Sequence, residues 1–368
     1  MGKQRLLVVA VLAAALVVTV AASAGSGAAT ATRLLVSRNG NIAFGYGERL
    51  LVVNPINGTN ARRIAGCPAT SRGCEIAEPA WSPNGRRLAF VRGRLARNEP
   101  GHMSLYLVAA GGGSAKRLAP CGTCGRFYMG GRLAWSPDGR WIVYSRNTSG
   151  TGYQSLWIVA AAGGTPHRLT DCASCVDIGP TWSPDGSLLL FTRMGRQSVQ
   201  LYTMRPDGSG LTKITDGADP RWSPDGSRIA FERGPNTVAV ADSDGSNVHV
   251  LLAGPPGSGP GVPSWSPDGQ KLVFFNTPGS QEHFTAEVWT INPDGSEATR
   301  LYHSGCCVSD WAAPIWSPDG RMIAFSADSA GGMFVMNADG SGRRKLNTPA
   351  YGPSNIMSWQ QRPSITGA

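Results

Sequence analysis

The pentapeptide Trp-Ser-Pro-Asp-Gly occurs five times in this chain, starting at Trp135, Trp182, Trp222, Trp265 and Trp316. Trp81-Ser82-Pro83-Asn84-Gly85 is a sixth copy that differs only at Asn84. These six Trp are spaced by 54, 47, 40, 43 and 51 residues. Ser37-Arg38-Asn39-Gly40 reads as an eroded copy ahead of them, and Trp359 stands 43 residues beyond Trp316. A period of this length means one supersecondary unit repeated along the chain. Such a unit cannot bury its apolar faces alone, so neighbouring units must stack.

Each unit reads as four strands. A short apolar or Pro-containing lead runs into the Trp, and Asp-Gly then makes a tight turn. An apolar triplet follows: Ile42-Ala43-Phe44, Leu88-Ala89-Phe90, Ile142-Val143-Tyr144, Leu189-Leu190-Phe191, Ile229-Ala230-Phe231, Leu272-Val273-Phe274 and Ile323-Ala324-Phe325. Continuous apolar triplets suit strands covered on both faces. A third strand, such as Leu201-Tyr202-Thr203-Met204, leads to a second turn at Asp207, Asp244, Asp294 or Asp339 and a fourth strand. With 48 Gly and 26 Pro, long helices are disfavoured.

The seven triplets predict an all-β propeller of seven four-stranded antiparallel blades packed radially. Six blades and a degenerate extra unit form the alternative. Trp81, Trp135, Trp182, Trp222, Trp265, Trp316 and Trp359 would act as large plates between adjacent sheets. The strand at Ser358-Trp359 is expected to complete the blade begun near Asn41 and so close the ring. Nine of the sixteen Asp lie in the repeated turns, where Asp and Gly accept the required dihedrals. Those nine read as structural rather than acid–base residues.

The order Trp-Ser-Pro-Asp-Gly, apolar triplet, then Asn-x-Asp-Gly-Ser resembles the TolB-type, WD-repeat-like β-propeller repeat. The resemblance spans roughly residues 34–363. It implies the propeller fold and leaves the activity open, because propellers host many functions. Full-length TolB proteins carry a separate α/β domain before the propeller. Few residues separate leader and first repeat here, so that domain is not expected.

Residues 1–31 read as an export signal. Lys3 and Arg5 precede an uncharged apolar run from Leu6 to Ala22, and small residues at Ala22-Ser23-Ala24 and Ala29-Thr30-Ala31 offer cleavage sites. An uncleaved membrane anchor is the alternative. Either reading places residues 32–363, the propeller, outside the cytoplasm, with residues 364–368 as a tail. The net charge of +10 falls by two without the leader and remains strongly basic. Anionic envelope ligands or acidic proteins suit that charge, and nucleic acid does not suit an exported chain.

Chain direction alternates, so both Asp-Gly turns of every blade share one face. The loops between second and third strands, and the links between blades, share the other. Those loops vary: Gly93–Ser104, Asn147–Ser155 and Asn276–Glu287 are long, while Gly234–Thr237 is short. Irregular loops on a fixed scaffold mark the expected contact surface. The same face holds Cys67 and Cys74, Cys121 and Cys124, Cys172 and Cys175, and Cys306 and Cys307, all in blade-to-blade links. Paired cysteines in an exported chain are read as disulfides, with the chain neighbours Cys306 and Cys307 read either as an adjacent bridge or as pairing with another loop. Zinc held between Cys121/Cys124 and Cys172/Cys175, or one redox-active CxxC, are the competing readings.

Arg92, Arg146, Arg193 and Arg233 each fall 11 residues after their Trp, at the loop-side end of four consecutive second strands. Asn276 and Ala327 take that place in the next two units. Four guanidiniums on one arc form a candidate site for carboxylates, with Arg94, Arg97 and Arg126 nearby. Pairing within the fold is the competing reading, with Glu78, Asp177, Asp219 and Asp310 as available partners.

No Gly-x-Ser-x-Gly elbow and no phosphate-cradling glycine motif occurs. The five His are scattered, and no catalytic residue, metal site or cofactor is predicted. The expected function is therefore that of an exported, monomeric, non-enzymatic propeller binding a protein, peptide or anionic ligand through its loop-rich face. A carbohydrate-active lyase or hydrolase using acids at the channel mouth is one alternative. A sensor ectodomain held by an uncleaved leader is another.

Overall fold

The computed structural model describes residues 39–361 except 57, 59–60, 70, 72, 95–101, 123–132, 148–152, 235–236, 254–259, 277–284, 286, 305–312, 327–331 and 349–356. Seven four-stranded antiparallel sheets account for every strand, and the described residues contain no helix. Blade 1 combines Met357–Gln361 with Asn39–Tyr46, Arg49–Val53 and Arg62–Gly66. Blades 2 to 7 begin at Cys74, Ala134, Val176, Ala218, Pro260 and Ile315. In each, the Trp-bearing strand is innermost and the fourth strand forms the outer edge. The innermost strands touch one another in sequence around a closed ring.

Closure is built from the two ends of the repeat array. Met357–Gln361 pairs antiparallel with Asn39–Tyr46, placing Trp359 opposite Ile42. Gln360 strengthens the seam: its Oε1 accepts from Asn41 N at 3.0 Å, and its Nε2 donates to Gly85 O of blade 2 at 2.6 Å.

The apolar triplets fill the space between blades. Phe44, Phe90, Phe191, Phe231, Phe274 and Phe325 are fully buried, with Tyr144 in the equivalent place of blade 3. Each apolar cluster draws on two adjacent sheets, as where Trp135 of blade 3 packs with Ala89 and Leu105 of blade 2. All seven repeat Trp are 7–9 % exposed. Four indoles donate to the carbonyl just before the preceding blade's Trp: Trp135 to Ala80 at 3.0 Å, Trp182 to Ala134 at 3.3 Å, Trp265 to Arg221 at 3.1 Å and Trp316 to Ser264 at 3.2 Å. Burial and a satisfied N–H thus act together at one register.

The Ser of each pentapeptide locks its turn. Ser223 Oγ donates to Asp225 at 2.5 Å and accepts from Arg228 N at 2.9 Å, while Asp225 accepts from Ser227 N at 3.1 Å. Gly226 takes φ +74°, which a side chain would strain. A Cβ on Gly226 would also lie 3.3 Å from Pro184 of blade 4, so Pro and Gly interlock neighbouring turns.

A bulge precedes the Trp in blades 2, 4, 5 and 6. Pro79, Pro180, Pro220 and Pro263 lie within these bulges, where a missing N–H costs no ladder bond.

Candidate functional site

The loop-rich face is organised by the ends of the second strands. Arg193 grips Asp177 bidentately, Nε to Oδ1 at 2.7 Å and Nη2 to Oδ2 at 2.8 Å. Asp177 is wholly buried, and its N–H donates to Gln154 O at 3.0 Å. The hydrogen bonds that Arg193 donates to Asp177 raise the Arg193 pKa above its ordinary value. The guanidinium also lies 4.8 Å from the centre of the Tyr202 ring.

The other three arginines differ from one another. Arg92 donates to Gly66 O at 2.8 Å and lies 3.8 Å over the Tyr106 ring, tying blade 2 to the end of blade 1. Arg146 lies 4.3 Å over Trp157. Burial pushes the neighbouring Tyr144 hydroxyl up to about 12 despite the opposing charge of Arg146. Arg233 is exposed. The fold therefore engages Arg92, Arg146 and Arg193 internally and leaves Arg233 on the surface, and Arg94 and Arg196 are also exposed on that face. Arg97, Arg126 and Asp310 lie outside the described residues.

Glu78, Asp177 and Asp219 are all buried on innermost strands. Glu78 and Asp219 occupy the same bulge register, with φ of 54° and 49°, while Gly179 fills it in blade 4 with φ of 63°. A left-handed conformation is unfavourable for residues with a Cβ. The Asp219 N–H is held by Thr192 Oγ1 at 3.1 Å.

A further cluster gave no repeat signal. Glu287 opens the third strand of blade 6 and is 3 % exposed. It accepts from Trp289 Nε1 at 2.7 Å, Arg300 Nη1 at 2.7 Å and Asn276 Nδ2 at 3.4 Å, with His303 Nδ1 at 3.2 Å. Burial raises its pKa, but the bonds from Trp289, Arg300 and Asn276 outweigh that effect and hold it below the usual carboxylate range. The available clue was Asn276 standing where four other blades place Arg: blade 6 draws its cation from the fourth strand instead.

Two links between blades are cross-linked. Cys67 and Cys74 are bridged with Cα atoms 6.1 Å apart, and Cys172 and Cys175 with Cα atoms 5.6 Å apart. Cys121 is also disulfide-bonded. Cys124, Cys306 and Cys307 lie outside the described residues. Cys175 Sγ sits 3.8 Å from Asp177 Oδ1, so the second bridge covers the Arg193–Asp177 pair. Among the described residues no three His, Cys, Asp or Glu side chains are placed to hold one metal ion. On the opposite, hairpin side, a cleft of about 310 Å³ lies between the turns of blades 5 and 6, lined by Asp225, Arg228 and Gln270 among others.

This architecture agrees with the sequence comparison. The family model described as the TolB beta propeller domain matches residues 125–312 and 219–361, together more than half of the chain. The chain belongs to that family. Among curated relatives, the uncharacterized peptidase YuxL of Bacillus subtilis is 27 % identical over 165 residues, 38 % of this chain and 23 % of YuxL. The matched segment thus spans less than a quarter of that relative. A solved structure described as TolB from Agrobacterium tumefaciens aligns with a TM-score of 0.52 at 23 % identity, covering 77 % of this chain and 96 % of that one. An oligogalacturonate lyase solved in complex with manganese aligns with a TM-score of 0.57 at 17 % identity, covering 84 % and 86 % of the two chains. Likeness at these identities shows the fold alone.

Proposed function

We propose that this chain is an exported, non-enzymatic binding propeller that takes a protein, a peptide or an anionic envelope ligand on its loop-rich face. The asymmetry of the two faces carries the reading. The Trp-Ser-Pro-Asp-Gly turns repeat nearly residue for residue, whereas the opposite connections vary in length and are braced by disulfides. Variable loops on a rigid scaffold are where contacts concentrate. Bracing lowers the ordering cost of association. Export is supported by the composition of residues 1–31 and by bridged cysteines, which suit an oxidising compartment.

On this reading Arg92, Arg146 and Arg193 hold the face in shape, while Arg94, Arg196 and Arg233 meet the partner. The test is the triple variant Arg94→Glu/Arg196→Glu/Arg233→Glu in pull-downs from envelope extract. Loss of a saturable partner with an unchanged melting curve is expected. Full retention of that partner would overturn the assignment.

A carbohydrate-active lyase or hydrolase is the second reading. In its favour stand the buried carboxylates Glu78, Asp177 and Asp219 on the innermost strands, two of them in strained backbone. Cleavage of an acidic oligosaccharide, lost in Asp219→Asn, would support it. Absence of cleavage by the wild-type chain across acidic substrates would count against it. A membrane-anchored sensor would show residues 1–31 in the intact mass of the exported protein.

A further inference from the structure

The hairpin side is uniform in backbone and divided in charge. In blades 4, 5 and 6 the turns between third and fourth strands carry Asp207, Asp244 and Asp294. The corresponding turns of blades 1, 2 and 3, residues 54–61, 110–115 and 161–166, contain no acidic residue. The outermost strands of blades 1 to 6 follow the same division, whereas that of blade 7 opens with Arg344-Lys345 although its turn carries Asp339. Those of blades 1 to 3 open with Arg62-Arg63, Lys116-Arg117 and His167-Arg168, all exposed. Those of blades 4 to 6 open with Thr212-Lys213, His249-Val250 and Thr299-Arg300.

Pairing sharpens the contrast. Lys213, Lys271 and Arg300 of blades 4 and 6 meet Asp216, Glu297 and Glu287 at 2.9, 3.0 and 2.7 Å. In blades 1 to 3, Arg62 donates to Gly111 O at 2.9 Å, Lys116 to Ala162 O at 3.0 Å and Arg117 to Ser104 Oγ at 2.9 Å. These acceptors are neutral, so they orient the cations without cancelling their charge. Among these outer-strand bases of the described residues, Arg168 has a carboxylate partner, Asp171 at 2.6 Å. Arg62 and Lys116 each reach across to the next blade's turn, which joins the charges into one track. Basic residues also protect sheet edges from pairing. That need is the same in every blade and does not account for the division.

We propose that the outer rim of blades 1 to 3 binds an acidic polysaccharide. The track follows the curved edge of the ring, where a flexible chain can stay in contact and a flat bilayer cannot. Trp141 of blade 3, 39 % exposed on the hairpin side, offers an apolar plate for a sugar ring. Single-stranded nucleic acid favours a series of stacking aromatics, and among the described residues of this arc Trp141 is the one exposed large aromatic. This surface is separate from the loop-rich face, so either assignment can fail without the other.

Polygalacturonate is the probe, titrated calorimetrically against the full exported chain at low salt. The variant Arg63→Gln/Lys116→Gln/Arg117→Gln is compared with Arg205→Gln/Lys213→Gln/Lys271→Gln, which removes the same charge from blades 4 to 6. The first should weaken binding at least about tenfold, because each neutralised contact releases counterions. The second should leave affinity within about twofold, and melting curves of both should match wild type. Equal weakening in both variants, or none in either, would overturn the proposal, since net charge alone would then account for binding. Tighter binding to oligothymidylate or to phosphatidylglycerol vesicles than to polygalacturonate would also overturn it. If the first variant fails to fold, Arg63→Gln with Arg117→Gln must still weaken binding more than Lys213→Gln with Lys271→Gln.

Discussion

Removing the Arg193 guanidinium would leave Asp177 charged and wholly buried. Stranding one member of a buried pair is costly, so Arg193→Ala should lose about 3 kcal/mol in urea unfolding. Arg193→Met with Asp177→Leu should recover much of that loss, because no uncompensated charge remains. Equal losses in both variants would show that packing, rather than charge, is what Arg193 supplies. The register that places Arg193 was legible from its spacing to Trp182. Its engagement was legible as one of two readings, with Asp177 among the available partners, and the choice between them is set by how the preceding link folds over the strand end. The same holds for Arg92, whose acceptor is a backbone carbonyl in blade 1. Sequence spacing locates such a residue, while three-dimensional packing decides whether it faces solvent.

At the scale of the element, the pentapeptide turn is a pH-sensitive lock. The Ser183 hydroxyl, followed by the Ser187 N–H, holds Asp185 at about 2, and Ser223 with Ser227 does the same for Asp225. Both carboxyls lie below their ordinary value of 3.8 in the folded chain. Their stabilisation is therefore complete above that value and disappears as pH falls towards 2. Melting temperature should fall over this window, and Ser223→Ala should blunt the fall while costing about 1 kcal/mol at neutral pH. A flat profile between pH 4 and pH 2 would contradict the assignment. The backbone of these turns was readable directly from Ser-Pro-Asp-Gly, because only short polar and glycine residues suit it. The segregation of charge between blades 1 to 3 and blades 4 to 6 is written in the other turns, those between third and fourth strands. It emerges once those turns are assigned to consecutive blades, which places them side by side along one rim.

At the scale of the molecule, repeat number and closure were carried by residues too large to misplace. Seven Phe or Tyr triplets and seven Trp demand seven interfaces, and Trp359 supplies the plate that blade 1 lacks at its own first turn. Trp359→Ala should therefore cost about 3–5 kcal/mol in urea unfolding, as should Trp182→Ala. A loss below about 0.5 kcal/mol at Trp359 would mark it as a surface residue instead. The Glu287 cluster escaped the sequence because it occurs in one blade and breaks the repeat that made the rest visible.

Which face meets the partner is tested most directly by a photo-crosslinking residue placed at Arg196 or Arg233 on the loop-rich face, or at Gln270 on the hairpin face. A binding propeller of the kind described should yield one saturable protein adduct from Arg196 or Arg233 and none from Gln270. An adduct from Gln270 alone would put the contact surface on the other side of the ring.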